Sequence, residues 1–566
     1  MVDGKSEIDD SHFFFAPNGK TNAKAELNAT IEALLHEKRF DDNSSACRFP
    51  ARKEWLKNEL NITEFPDVEC IEYDKIVSRL SPKSATLVFP SAHINSPASM
   101  FGHTFIRINS KYKSKLLAYA INYAADADPS KENAIVFSVK GLIGGYYGRY
   151  SLLSYYEKLK EYRDGENRDV WEYNLNLNEA EVRQMVRHIW ELNGTHSDYY
   201  FFTENCSYNM LWLIEVARPS IHLREHFNFE VIPLETIHVA KLEGIINKTS
   251  YRPSKRSTLL EYEKLIGSKN IHYVKELVDI NTPLEVFMQN KELSKQDKMY
   301  ILEAAIEFLE YSYSKSKIKK EEYINHFHKL TKQRALLGKG KIVKVKTPAN
   351  PIKSHRAVRI NTGLGYRDEN PITFFGARVA YHNLEDSNLG FLRGTEIEFL
   401  NFLFSYDIKK YFKVENATVV SIASIAQRSE FFSGLSWRTK LGWDRNYIDE
   451  KAKFSTTFGI GYSVGNRALY SYMMLNPLLY AVDGLRSGVG VSLGFVFDKY
   501  DFMNTNIEAS YREYDTGVNQ GLVKVSQSFR FSQNTQLKFK YNYIEKEIES
   551  KNSAENTFRV MFNYYF

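Results

Sequence analysis

No run of about twenty apolar residues occurs in the chain, which excludes a membrane-spanning helix and leaves membrane-spanning β-strands open. A dense basic footprint is also missing. The net charge is +6 over 566 residues with the lysines spread widely, and this sets a nucleic-acid partner aside. The opening stretch, MVDGKSEIDD, has neither a basic n-region nor an apolar h-region. The sequence therefore reads either as cytoplasmic or as beginning after a removed leader. Neither a compact His/Cys cluster nor an HExxH pattern is present, so no metal and no other cofactor is expected. Cysteine is scarce. Cys47 and Cys70 flank RFPARKEWLKNEL, a short helical stretch that a disulfide would staple for roughly 3 kcal/mol on a chain-entropy estimate. In a reducing compartment both would be buried thiols, and spacing alone leaves the two readings open. Cys206 is the odd one out.

Aromatic residues are in excess, with 37 tyrosines and 37 phenylalanines, a load that calls for extensive packing or membrane interfaces. They concentrate late in the chain. Up to about residue 80 the pattern is helical, with Leu27, Ile31, Leu34 and Leu35 at helical spacing. From ATLVFPSAHI to CSYNMLWLIEVARP it is mixed: the short apolar runs TLVF, HTFIRI, LLAYAINYA and AIVFSV precede helical segments, an α+β signature. Residues 255–340 return to helix. The clearest is SKQDKMYILEAAIEFLEYSYSK, where Ser294 is placed to cap and Met299, Leu302, Ile306 and Leu309 form a stripe. GKGKIVKVKTPANPIKSH then reads as a linker.

After about residue 355 the period becomes two. VRINTGLGY sets Val358, Ile360, Thr362, Leu364 and Tyr366 against Arg359, Asn361, Gly363 and Gly365. LSWRTKLGW sorts Leu435, Trp437, Leu441 and Trp443 from Arg438 and Lys440, and LKFKYNY sorts Leu537, Phe539, Tyr541 and Tyr543 from Lys538, Lys540 and Asn542. About twelve such segments occur, an even number, each near the length that crosses a bilayer when tilted. A soluble antiparallel sandwich also alternates; against it stand the repeated polar face, the aromatic strand ends and the absence of a helical cover. The last segment, FRVMFNYYF, puts Phe558, Val560, Phe562, Tyr564 and Phe566 on one face, and it resembles the C-terminal strand signal of bacterial outer-membrane barrels. Such a barrel implies export, and export favours an oxidised Cys47–Cys70 pair.

Cys206 stands at the start of a helix whose cap is Asn205 and whose apolar residues are Met210, Leu211, Leu213 and Ile214. A helix N-terminus lowers a thiol pKa and presents N–H groups able to receive an oxyanion. The base could be His103, entering a strand on the face opposite Thr104, Ile106 and Ile108; His93 in a turn; or His196 in the loop NGTHSDYY. A core histidine and an inert buried cysteine are equally compatible with the pattern.

NSPASMFGHTFIRI, YAINYAA, GGYYGRY and YYFFTENCSYNMLWLIE together resemble the motif set of the Lnb N-terminal periplasmic domain family, named after a lipoprotein intramolecular transacylase. That family is similar to permuted papain-like thiol enzymes, the group containing lecithin:retinol acyltransferase and NlpC-type peptidases, in which the histidine strand precedes the cysteine helix. The resemblance implies Cys206 as nucleophile and His103 as base. Asn122 is the candidate to orient the imidazole, with Tyr123 behind it, although a bond from Asn122 to a neighbouring loop stays open. Asn205, Tyr123, Tyr146 and Tyr147 are candidates to line the substrate, with ordinary packing the competing role for the tyrosines; Gly144, Gly145 and Gly148 would allow a tight turn beside the cleft.

The expected architecture is α+β followed by a barrel: a helical module with the Cys47–Cys70 bridge over 1–84, an Lnb-like thiol-enzyme domain over 85–254, helices and linker over 255–354, and an antiparallel outer-membrane barrel over 355–566. The transacylase is anchored by helices, so a barrel here puts the transfer of its substrate to this chain in doubt. The expected partners are outer-membrane lipid and a lipoprotein or phospholipid acyl group that would form a thioester on Cys206. A cell-wall peptidase or amidase with the same dyad, and a non-catalytic barrel protein that binds peptidoglycan, are the alternatives.

Overall fold

The computed structural model describes residues 4–62, 64–91, 100–112, 114–127, 132–407, 411–447, 451–466, 468–482, 484–548 and 551–566. The chain divides into two compact units, one comprising Met1–Leu259 with Val274–Val345, the other Leu260–Tyr273 with Lys346–Phe566.

The first unit begins with helices at Ala23–Leu35, Pro50–Leu60 and Ile71–Leu80. Asn22 caps the first through its side chain, and a disulfide joins Cys47 to Cys70. The sheet that follows has seven antiparallel strands: β1 (Pro82–Pro90), β2 (Phe105–Ser110), β3 (Tyr119–Ala125), β4 (Tyr146–Ser154), β5 (Val170–Leu175), β6 (Ser197–Tyr199) and β7 (Ile246–Arg252). Their order is β6-β4-β3-β2-β1-β5-β7. Helix Glu179–Glu191 packs on β1, and helix Cys206–Ala217 lies on that helix and on β2 and β3. The first is amphipathic, the second is buried on most of its faces, and each carries a capping asparagine, Asn178 and Asn205. The carboxylate of Glu172 is sealed within the sheet against Arg107 at 2.7 Å, with Tyr155 donating at 2.7 Å and Lys115 at 3.3 Å. A buried charge is tolerated there only because each of its lone pairs is met.

One expectation fails in this unit. AIVFSV, a short apolar run of the kind that reads as a strand, belongs to helix Ala134–Ile143. Its period is hidden because Phe137 is buried while Val136, Val139, Leu142 and Ile143 face outward, so both faces are apolar. Gly144, at φ +80, ends it. The Ser294 cap is as expected on helix Lys295–Ser314, and of the expected stripe Met299, Leu302 and Leu309 are buried while Ile306 is half-buried.

In the second unit twelve antiparallel strands close into a barrel. The first, Arg359–Arg367, pairs with the last, Lys551–Tyr565, through partners such as Leu364 and Val560. The strands are nine to fifteen residues long, enough to cross a hydrocarbon layer when tilted. Their alternation is inverted relative to a soluble barrel. Ile360, Leu364, Tyr366, Phe558, Phe562 and Phe566 are exposed on the outer surface, whereas Arg359, Arg438, Lys440, Glu508, Lys538 and Lys540 line the interior cavity. An apolar outside around a polar inside is the pattern that lipid selects.

Candidate thiol site

Cys206 is the first residue of helix Cys206–Ala217, and His103 lies two residues ahead of β2 rather than within it. The register that sets Ile106 opposite Ile121 brings Asn122 of β3 to the same end of the sheet as His103. His103 Nε2 stands 2.9 Å from Asn122 Oδ1. The amide oxygen can only accept, so Nε2 carries the proton and Nδ1 is left as the basic atom.

Cys206 is 4 % exposed. Burial pushes its pKa up, yet attraction to and a hydrogen bond from His103, with further bonds from the Thr104 backbone N–H and the Ser207 hydroxyl, bring it down from the ordinary thiol value to about 7. The second contributor was not legible in the sequence: the residue after the histidine helps hold the thiolate. Cys206 Sγ and Ser207 Oγ are 3.7 Å apart, and Ser207 Oγ in turn accepts from Thr104 Oγ1 at 2.8 Å.

The helix N–H groups are deployed differently from the expectation. Asn205 Oδ1 accepts from Ser207 N at 2.9 Å and Tyr208 N at 3.3 Å, while Asn205 Nδ2 donates to the carbonyls of Phe201 at 3.0 Å and Val231 at 2.6 Å. Asn205 is thus a buried clamp, and two of the N–H groups expected at an oxyanion are spent on the cap. The Cys206 N–H donates to the hydroxyl of Tyr199 at 3.3 Å. Tyr199 is buried, and its own pKa lies far above the ordinary phenol value through burial and the neighbouring sulfur. Its hydroxyl therefore stands beside both the Cys206 N–H and the sulfur. Sequence alone could not choose it among the tyrosines of YYFFTENC.

The other singled-out residues separate by environment. Tyr123 is 1 % exposed, stacked on Tyr199 with ring centroids 5.6 Å apart. Gly148 is what admits it, because a Cβ there would lie 2.0 Å from the Tyr123 hydroxyl. Tyr146 is buried and donates to Glu132; Tyr147 is exposed and lies against His196, ring centroids 4.2 Å apart. His196 pairs with Asp10 at 3.1 Å, an engagement with the N-terminal segment. His93 lies outside the described residues. Helix Ala134–Ile143 packs through Phe137 on Phe201, centroids 5.5 Å apart, and Phe201 N–H donates to the Gly141 carbonyl at 2.8 Å. Its residues Val136, Val139, Leu142 and Ile143 are exposed.

Among the described residues one group of His, Asp, Glu or Cys side chains has metal-binding spacing: His355, His382 and Asp386 in the barrel unit. Asp386, however, already accepts from Arg378 at 2.6 Å, Lys538 at 3.0 Å and Tyr565 at 3.0 Å. A divalent cation would meet two fixed positive charges at its carboxylate ligand, so the donor set does not fit a metal.

Residues 72–242 match the Lnb N-terminal periplasmic domain. Three domains of unknown function match elsewhere: DUF7843 over residues 2–59, DUF7842 over 249–344 and DUF7840 over 348–565. No curated protein matches the chain. Among solved structures, an outer membrane channel from Pseudomonas putida F1 is similar at 11% identity and TM-score 0.27, covering 40% of this chain and 100% of its own. The KdgM porin is similar at 11% identity and TM-score 0.24, covering 37% and 99%. An anion-selective porin from Comamonas acidovorans is similar at 8% identity and TM-score 0.21, covering 37% and 98%. Likeness at these scores says nothing of what this barrel conducts or binds. The periplasmic domain and the inverted barrel make the chain an outer-membrane protein with periplasmic domains.

Proposed function

We propose that this outer-membrane protein, whose residues 72–242 belong to the Lnb N-terminal periplasmic domain family, is a thiol-dependent acyltransferase or hydrolase acting on lipid or lipoprotein acyl groups. The observation that carries the reading is the pKa of a buried thiol brought to about 7 by His103, whose imidazole is itself held by Asn122. A structural cysteine buried to this degree, without an imidazole beside it, would be driven the other way.

In the first step His103 Nδ1 takes the thiol proton and the sulfur attacks the ester carbonyl. The C–S bond forms, the C–O bond breaks, and the proton passes from His103 to the departing alkoxide. An amine, hydroxyl or water then attacks the thioester, gives its proton to His103, and expels the thiolate, which is reprotonated. The Tyr199 hydroxyl, which already receives the Cys206 N–H, serves the tetrahedral oxyanion in both steps.

The exposed apolar residues Val136, Val139, Leu142 and Ile143, on a helix that packs on Phe201 a few residues before the thiol, favour an acyl chain over a peptide, because a peptidase groove would need polar partners for a substrate backbone. Incubation of the full-length protein with a phospholipid or diacylated lipopeptide, followed by intact-mass measurement, tests the reading. An acyl mass added to native protein and absent from Cys206→Ala is expected. No adduct together with turnover of a cell-wall peptide would move the assignment to an amidase. No activity on either substrate would leave a binding domain.

A further inference from the structure

Two segments of the barrel unit run across its lumen rather than along its rim. The first, residues 383–394, joins strands Asn370–His382 and Thr395–Asp407, the second and third of the twelve. It is tied to strands far around the ring. Asn504 Nδ2 donates to the Leu384 carbonyl at 3.0 Å and to the Asp386 carbonyl at 2.8 Å. Ser528 Oγ donates to the Glu385 carbonyl at 2.7 Å. Lys540 pairs with the Glu385 carboxylate at 2.6 Å, and Asp386 is 0 % exposed among Arg378, Lys538 and Tyr565. Asn504, Ser528 and Lys540 stand on the ninth, tenth and eleventh strands. A segment leaving the second strand reaches them only by crossing the interior.

The second crossing, made by residues 445–447, follows the fifth strand, Ser436–Asp444, at the opposite end. Arg445 bridges Glu415 at 2.9 Å and Glu555 at 3.2 Å. Gln520 donates to the Asn446 carbonyl and Lys546 to that of Tyr447. The Tyr447 ring lies on Tyr480 and Tyr514, centroids 5.1 and 5.3 Å away. Between the two crossings a cavity of about 350 Å³ is left, lined by both segments and by charged wall residues of both signs.

We propose that the barrel is closed to solutes at both ends by these straps and serves as an anchor rather than a diffusion channel. Both straps are held by buried carbonyl acceptors and ion pairs whose partners would be left unmet if a strap swung out, so each is a fixed part of the fold and not a mobile rim loop. Barrels of about sixteen strands leave an aqueous channel and those of about eight are just filled by their own side chains; with twelve strands it is the straps that decide whether the lumen is open. This inference is independent of the thiol chemistry.

Purified full-length protein in planar bilayers tests it, alongside the variant Glu385→Ser/Asp386→Ser/Arg445→Ser and the milder Glu385→Gln/Arg445→Gln, each accepted as folded only if its migration on SDS gels changes on heating. The native protein is expected to give no current steps and at least one folded variant to give steps. Steady current steps from the native protein would overturn the proposal, as would folded variants of both kinds that stay silent. If neither variant folds, liposome swelling with the native protein decides: no uptake of a small sugar supports closure and rapid uptake overturns it.

Discussion

Thr104 Oγ1 donates to Ser207 Oγ at 2.8 Å with both side chains fully buried, so the residue after the candidate base is bonded to the residue after the candidate nucleophile. The bond fixes the strand that carries His103 against the helix that carries Cys206. Thr104→Val keeps the shape and leaves a buried hydroxyl without its donor, a loss of about 1–3 kcal/mol. Urea denaturation of the soluble unit in the full-length protein should show it, together with slower alkylation of Cys206. Unchanged stability and reactivity would mean that the pairing of strand and helix does not depend on this bond.

Asn122 holds His103 Nε2 at 2.9 Å. Asn122→Ala should lower kcat for acyl transfer while leaving KM nearly unchanged, because the amide orients the base and does not touch the acyl chain. Asn122→Asp keeps an acceptor, so it should retain more activity and move the pH profile upward by stabilising the imidazolium. A rise in KM with kcat intact would place Asn122 on the substrate.

Glu204, two residues before the thiol, has its pKa raised to about 7 by burial and by Glu7, Asp9 and Asp198. A carboxyl raised in the folded state stabilises while it is neutral: the contribution is complete below its unfolded value and is lost as pH rises through about 7. Thermal stability of the soluble unit should therefore fall between pH 5 and 7.5, approximate bounds set by the ordinary carboxylate value and the raised one, and Glu204→Gln should flatten that slope. Equal slopes for the two proteins would show that the acidic neighbours are screened.

The Cys47–Cys70 bridge closes a separation of 23 residues, for which loop-closure entropy gives about 3 kcal/mol. The double variant Cys47→Ser/Cys70→Ser should lower the melting temperature of the soluble unit by several degrees without changing Cys206 reactivity. Loss of that reactivity would mean that the helical module also supports the site.

The barrel was legible because its signal is local. Ile360, Leu364 and Tyr366 alternate with Arg359 and Asn361 along one strand, and lipid outside with charge inside enforces that period without help from distant residues. The Asn205 and Ser294 caps were legible for the same reason. AIVFSV misled because an apolar run of six carries no period when both helix faces are apolar. Tyr199, the Thr104–Ser207 bond and the crossing of the lumen by Glu385 and Asp386 had no signal. Each joins residues that only the fold brings together, and the polar groups concerned are common ones in loops and strands.

The central claim, that Cys206 is ionised near neutrality by His103, is tested most directly by the pH dependence of its alkylation with iodoacetamide. Cys206 is the one cysteine outside the disulfide, so the rate reports a single sulfur. The native protein should show a midpoint near pH 7, and His103→Ala should move it above the ordinary thiol value, because burial then acts without its counterweight. A native midpoint at or above the ordinary thiol value, or one that His103→Ala leaves in place, would contradict the account.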